Sequence, residues 1–329
     1  MIFFKNDNLD PYFNLALEEV LLKSNIKENI LLLWQNHNSI IVGRNQNSLE
    51  EINVNHTDKD KVRVVRRMSG GGAVFHDLGN LNFSFILNRN DDNAKSYSVI
   101  LQPIIDALQN MGLNAVFSGK NDITIDDKKI SGNAQYAYKD RLLHHGTILF
   151  NVDLTKLGNY LNVSKQKIIS KGIKSNQSRV INVKELLNND MTLEDFKLKI
   201  IESYVNKNNA KVEKISENYI NQAKQLAKEK YNTFEWNFGK SPEFTIQNKV
   251  YFNQKGLIEF KAFIENGFIK TINFYGDFLG FTGTKYLEDA LVGVKLNYNS
   301  VKKVINNSNY QDIFGEKFLV DEILSVIFE

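Results

Sequence analysis

Short β-rich runs succeed one another in this chain too often for a helix to stand between each pair. Ile30–Trp34, Ser39–Val42 and Val62–Arg66 come first. The stretch Leu81-Asn82-Phe83-Ser84-Phe85 then alternates with the period of two of a half-buried strand. Further runs cover 114–118, 122–126, 129–137 and 145–151. A doubly wound parallel sheet needs a crossover of about a dozen residues, usually a helix, between consecutive strands. This rhythm argues against that sheet and for the α+β class.

Helices stand apart from the strand runs. Pro11 opens one over about 11–24, with Asp10 as N-cap and Glu18-Glu19 following. Leu15, Ala16, Glu19 and Leu22 share a face by their spacing. Ser96 to Met111 reads as a second helix, apolar at Ile100, Ile104, Ala107, Leu108 and Met111. Others are expected near 192–208 and 216–230. Gly239-Lys240-Ser241-Pro242 marks a boundary. It divides the chain into a domain over 1–242 and a smaller one over 243–329. The second part carries strand runs at Phe244–Phe252, Leu257–Ile264 and Phe268–Tyr275, then helices near 284–291, 298–306 and 318–328. At about 85 residues it is large enough to fold as a domain.

Composition removes several chemistries. Lys plus Arg is 41 and Asp plus Glu is 38, a net charge of +3. That balance, with no recognised binding motif, gives no support for a nucleic-acid or membrane partner. The absence of cysteine excludes disulfides, thiolate metal sites and a cysteine nucleophile. The longest obvious apolar run, Ile30 to Trp34, is far short of a membrane span of roughly 20 residues. It is also short of a secretory core of roughly 7–15. A cytoplasmic protein is expected.

Three segments carry the candidate chemistry. The first is Arg66-Arg67-Met68-Ser69-Gly70-Gly71-Gly72-Ala73-Val74-Phe75-His76-Asp77. Successive glycines expose backbone N–H groups and let a ligand approach the main chain. Two arginines add fixed positive charge. The segment reads either as an anion site or as a flexible hairpin turn with surface arginines. It is neither a P-loop nor a dinucleotide fingerprint. The second segment, Gly119 to Gly132, places Asp122 and Lys129 on either side of a turn at Asp126-Asp127. A hairpin would bring the acid and the amine together, to hold a cation and a phosphate or as a solvated charged tip. The third is His144-His145-Gly146-Thr147. Adjacent histidines on a strand face opposite ways, so they make a poor metal pair. No zinc spacing or GxSxG nucleophile elbow occurs. Trp34 and Trp236 both lie in apolar surroundings.

Taken in order, these segments resemble the lipoate–protein ligases of the A type. So do Pro11-Tyr12-Phe13-Asn14-Leu15-Ala16-Leu17-Glu18-Glu19, Leu33-Trp34-Gln35-Asn36, Gly43-Arg44-Asn45-Gln46-Asn47 and Glu235-Trp236-Asn237-Phe238-Gly239. The match is dense over roughly residues 1–240. It implies a catalytic domain related to biotin–protein ligase, with a mixed sheet and flanking helices, and a small C-terminal accessory domain. It also implies a two-step reaction. Lipoate and MgATP give lipoyl-AMP and pyrophosphate. The lipoyl group then passes to a lysine of an acceptor, either a 2-oxoacid dehydrogenase E2 subunit or the glycine-cleavage H protein. A monomer is the family default.

By this resemblance Lys129 is the catalytic residue, touching both lipoate and ATP. Arg67 and the Gly72-Ala73-Val74-Phe75 backbone bind the nucleotide. Gly71, Gly72, His76, Trp34, Gly146 and Thr147 border the lipoate, with backbone N–H groups of Gly146-Thr147 along the acyl carbonyl. His145 is a pocket residue or a packed one, and the same two roles are open to His76. Asp122 is carried over as a Mg²⁺ ligand. Lys171, Gly172, Ser178 and Arg179 belong to a loop over the adenylate. Sibling octanoyltransferases and lipoyl amidotransferases work through a cysteine thioester, which a cysteine-free chain cannot form. A lipoyltransferase fed ready-made lipoyl-AMP and a non-catalytic lipoate sensor are the competing readings.

Overall fold

The structure is a computed structural model. It describes residues 1–91, 94, 96–119, 121–161, 180–187, 190–238 and 246–328. Among these, eight strands form one sheet: β1 (Ile2–Lys5), β2 (Ile30–Trp34), β6 (Asn80–Asn88), β7 (Ala115–Ser118), β8 (Asp122–Ile125), β9 (Lys128–Tyr138), β10 (Arg141–Leu149) and β11 (Lys211–Glu213). Their order is β11-β1-β2-β6-β10-β9-β8-β7. β1 runs parallel to β2 and β11, and the remaining pairings are antiparallel. The sheet is therefore mixed, as the resemblance implied. A smaller sheet, β4-β3-β5, joins Arg63–Arg66, Ser39–Val42 and Val74–His76.

Helices cover both faces of the large sheet. Helix α1 (Pro11–Leu22) is capped by Asp10, whose carboxylate accepts from the Tyr12 and Phe13 amides. It packs with Ile2, Phe4, Leu32, Trp34, Ile86 and Leu143 on one face. The other face carries Phe3, Leu31, Leu33, Phe83, Phe85 and Leu142. Helices α2 (Tyr97–Asn110) and α3 (Leu193–Asn208) close it with Ile104, Leu108, Phe196 and Ile200. Because both faces are covered, β1 and β2 are continuous apolar runs rather than alternating ones.

Sequence reading misses β1, β5 and β11, which are too short to show a period, and starts β10 four residues late. The helix expected over 216–230 ends at Leu226 and widens into a π turn over Ala227–Tyr231. That turn sets Lys230 Nζ and Tyr231 Oη each 2.6 Å from the buried Glu19 carboxylate. The last helix runs over Val320–Phe328, close to its expected span, and a short helix that the sequence does not show, Tyr310–Phe314, precedes it and ends at Gly315 with φ +116°.

The C-terminal module is a meander of β12 (Ile246–Phe252), β13 (Gly256–Glu265) and β14 (Phe268–Gly276). Asn266 and Gly267, at φ +53° and +77°, make the tight turn between the last two strands. Ile258, Phe260, Ile272 and Phe274 meet the terminal helices in a core of their own. The expected boundary at Gly239 to Pro242 lies outside the described residues. The module rests on the large domain through its main chain. Gly276 N–H donates to the Asn45 carbonyl at 2.6 Å, and Ala137 N–H donates to the Phe281 carbonyl at 3.1 Å.

Candidate active site

The sheet register builds the site. Directly opposed residues of antiparallel strands project to the same face. Trp34 opposes Asn82, and Asn82 opposes Thr147. Gly132 N–H reaches Thr147 Oγ1 at 3.5 Å, and Gly132 opposes Asp122. One row across five strands therefore carries Trp34, Asn82, Thr147, Gly132 and Asp122. The next row carries Ser84, His145 and Ala134.

Lys129 joins this row through an irregularity. Simple alternation from Gly132 would send Lys129 to the opposite face. The β8–β9 register shifts between Ile123 and Thr124, so that Thr124 opposes Lys129. This bulge turns Ile130 into the core and Lys129 onto the face of Asp122. Asp126 and Asp127, at φ +49° and +61°, close the hairpin at the expected place. Lys129 Nζ lies 2.8 Å from Asp122 Oδ1, an ion pair without the alignment of a hydrogen bond. A side chain on Gly132 would meet Nζ at 3.2 Å, so its absence gives the ammonium its place.

The glycine segment faces this pair. Gly71 and Gly72 border a cavity of about 590 Å³ together with Asn121, Asp122 and, from the C-terminal module, Tyr251, Asp277 and Lys317. A Cβ on Gly70 would strike the Phe278 carbonyl at 2.5 Å, and one on Gly43 would strike the Gly71 carbonyl at 1.8 Å. Gly72 alone of the three faces open space.

The two arginines do something other than sequence reading expected. Both are buried and turned onto backbone carbonyls. Arg67 donates to the carbonyls of Ile41, Gly70 and Gly72 and to Ser69 Oγ. Arg66 donates to the carbonyls of Gly43, Arg44, Gln46, Trp236 and Asn237 and to Ser48 Oγ. Burial lowers both guanidinium pKa values to about 10, so both stay charged at neutral pH. Arg67 thus shapes the glycine loop from below, and its geometry here is that of a scaffold. Arg66→Ala would leave this set of carbonyls unpaired, and unfolding in urea is expected to show a loss of about 3–5 kcal/mol.

The histidines divide as strand alternation requires. His144 faces the core, with Gln135 at 3.0 Å and Tyr97 edge-on. His145 faces the site, hydrogen-bonded to Ser69 and Glu18. His76 lies against Trp34, ring centroids 6.5 Å apart. Asn36 donates to His76 Nδ1 at 3.2 Å, so Nε2 of the neutral ring carries the hydrogen; no partner meets it among the described residues. Asn82 Nδ2, on the row beside Trp34, is likewise buried without a partner there. Sequence reading did not single out Asn82, Ser84 or Glu18 as site residues; the strand register brings in the first two, and the packing of α1 on the sheet brings in Glu18.

Burial lowers the pKa of His76 and of His144 from 6.5 to about 3. The unfolded chain then binds protons between those values that the native chain does not. Their stabilising contribution is complete above about 6.5 and is lost as pH falls toward 3. Stability measured from pH 6 to 4 is expected to fall less steeply in His144→Gln, by about 1.4 kcal/mol per pH unit.

Gly146 and Thr147 lie inside β10 between two neighbouring strands, and Gly146 is paired on both sides. Gly146 is thus held within the sheet ladders, whereas Thr147 is paired with β6 alone. The missing side chain of Gly146 makes room for Asn133 and Phe83 on the core face. Only the Thr147 side chain points into the site. Lys171, Gly172, Ser178 and Arg179 lie outside the described residues. Val180 follows them, forms a bridge with Lys129, and hands on to Ile181, whose N–H donates to the Lys129 carbonyl at 3.1 Å.

Comparison with known proteins gives the family. The sequence profile of the lipoyl protein ligase A/B catalytic domain matches residues 10–205. That of the bacterial lipoate protein ligase C-terminus matches residues 241–327. The chain belongs to the lipoate–protein ligase family. Lipoate-protein ligase LplJ of Bacillus subtilis is 39% identical over 320 residues, covering 96% of each chain. Among lipoate ligase structures, that of P. falciparum LipL1 in complex with lipoate superposes with a TM-score of 0.80 at 31% identity, covering 98% of both chains. A lipoate-protein ligase A bound with ATP gives 0.63 at 27% identity, over 72% of this chain and 98% of that one.

Proposed function

We propose that this chain is an adenylate-forming lipoate–protein ligase acting in the cytoplasm as a monomer. The observation that carries the reading is Lys129 Nζ, held over Gly132 and against Asp122, a residue that borders the cavity together with Gly71 and Gly72. A carboxylate and an α-phosphate repel each other, and the repulsion is strong in a water-poor site. An ammonium between them offsets it. A lipoate carboxylate oxygen attacks the α-phosphorus, the new O–P bond forms, the bond to the β-phosphate breaks, and pyrophosphate leaves. The amine of an acceptor lysine then attacks the acyl carbon. The C–N bond forms, AMP departs with the C–O electrons, and the amine gives up a proton. AMP is already a good leaving group, so no cysteine is needed.

The open space at Gly72 fits a polyphosphate, whose oxygens can approach the main chain. Gly71, Ala73 and the start of β5 at Val74-Phe75 would border the nucleotide. Asp122 fits Mg²⁺, which typically takes one or two carboxylates and completes its shell with phosphate oxygens and water. When bound, the ion would neutralise phosphate charge. Trp34, the His76 Nε2–H and the Asn82 Nδ2 group, the latter two without a partner among the described residues, fit a slot that is apolar along its wall and polar at defined points. Lys171, Gly172, Ser178 and Arg179 are assigned to closure over the adenylate.

The acceptors proposed are lipoyl domains of E2 subunits and the glycine-cleavage H protein. Incubation with lipoate, MgATP and either acceptor tests this by mass spectrometry. A lipoyl mass gain on one acceptor lysine is expected. A folded enzyme that modifies neither acceptor from ATP, yet does so from synthetic lipoyl-AMP, would convert the reading to a transferase. Failure with both donors would leave the sensor.

A further inference from the structure

A buried chain of hydrogen bonds runs beneath the site from Trp34 to the glycine loop. Trp34 Nε1–H donates to Ser84 Oγ at 2.8 Å, and Ser84 donates to Glu18 Oε1 at 2.5 Å. His145 Nδ1 lies 3.0 and 3.1 Å from the two Glu18 oxygens. His145 Nε2 lies 2.6 Å from Ser69 Oγ, which also receives Arg67 Nε–H at 3.1 Å. Glu18, Ser69 and Ser84 are each no more than 1% exposed. Burial at that level makes an unpaired donor costly, so the directions of these bonds are fixed.

Those directions follow from chemistry. The indole can only donate, so Ser84 must pass its own hydrogen to Glu18. A carboxylate can only accept, so His145 Nδ1 carries a hydrogen. In the neutral ring Nε2 then accepts, and Ser69 is its donor. Ser69 Oγ is thereby left to accept from Arg67, whose other donors hold Ile41, Gly70 and Gly72. The chain converges on Glu18 from both ends.

We propose that Glu18 is a positioning residue: through His145 and Ser69 it orients Arg67, and so fixes the glycine loop in the form that receives the nucleotide. The inference rests on the adenylating reading of the site. Glu18 also supplies negative charge that favours the buried Arg67 guanidinium. An amide replaces it only in part. A glutamine with its oxygen toward Ser84 would keep that oxygen 3.0 Å from His145 Nδ1, but would set its NH₂ in the second position, 3.1 Å from the same Nδ1–H, donor against donor. If it turned the other way, its NH₂ would face Ser84, which already receives the indole hydrogen.

The test pairs a spectroscopic with a kinetic readout on the full chain. Nitrogen NMR of the His145 ring, assigned by loss of its signals in His145→Asn, is expected to show Nδ1 protonated and Nε2 bare. In Glu18→Gln that pattern should change. Lipoate-dependent pyrophosphate exchange should show KM for ATP raised about tenfold or more in Glu18→Gln and in Ser69→Ala. The double variant should be no worse than the more impaired single one, because both cut one chain. A wild-type ring protonated at Nε2, or effects of the two substitutions that multiply, would overturn the proposal. If Glu18→Gln does not fold, the wild-type tautomer and its response to Ser69→Ala decide. If the wild-type chain catalyses no exchange, the adenylating reading fails, and the tautomer still reports whether the chain of bonds exists.

Discussion

Lys129→Ala is expected to lower the rate of lipoyl-adenylate formation by about 10³-fold while the protein stays folded. The magnitude follows from what the ammonium does. Two unit charges about 4 Å apart interact by about 4 kcal/mol at the effective dielectric of a protein surface, and each 1.4 kcal/mol is tenfold in rate. Losing a positioned charge or donor where negative charge develops falls in the same range. The stability effect is far smaller. Lys129 and Asp122 are 37% and 31% exposed in their side chains, where an ion pair contributes about 1 kcal/mol or less. Single-turnover adenylation with a thermal melt of the same sample separates the two. A normal rate from a folded variant would remove Lys129 from the chemistry.

Gly72→Val is the second large effect, and the geometry makes it cleaner than the neighbouring substitution. Gly71 sits at φ +93°, and a Cβ there would press on Arg67 Nη2 at 2.8 Å. Gly71→Val would therefore distort the loop before any ligand arrived. At Gly72 a Cβ meets nothing within 4 Å. A valine there leaves the free protein intact and fills space that the polyphosphate needs. Titration with ATP is expected to show affinity lowered about 100-fold or more, with thermal stability unchanged within about 0.5 kcal/mol. Unchanged ATP affinity would move the nucleotide elsewhere.

Much of this architecture was legible because its signals are local. The Asp10 cap, the alternation in Asn80–Asn88 and the paired aspartates at the 126–127 turn each state their conformation in a few residues. Strands β1 and β11 do not. Ile2-Phe3-Phe4 gains its meaning only from β2 and β11 alongside it, and Lys211-Val212-Glu213 is an exposed edge strand without an apolar face.

The candidate site divides along the same line. Asp122 and Lys129 meet because a short hairpin joins them, which spacing can show. The face on which they meet depends on the bulge beyond Ile123, which spacing cannot show. The arginine pair illustrates the opposite error. Fixed charge beside glycines suggests an anion site, yet both guanidinia are turned onto main-chain carbonyls that converge only in the folded loop. Glu18 carries no local signal at all. It lies in an apolar helix more than a hundred residues from His145, and only the packing of α1 on β10 brings the two together.

The central claim is that lipoate is activated as an adenylate at the face shared by Lys129 and the glycine loop. Exchange of labelled pyrophosphate into ATP, run with Mg²⁺ and with or without lipoate, tests it most directly. The account predicts exchange that requires lipoate and falls about 10³-fold in Lys129→Ala. Lipoate-dependent exchange of equal rate in a folded Lys129→Ala protein, or none from the folded wild-type chain, would contradict it.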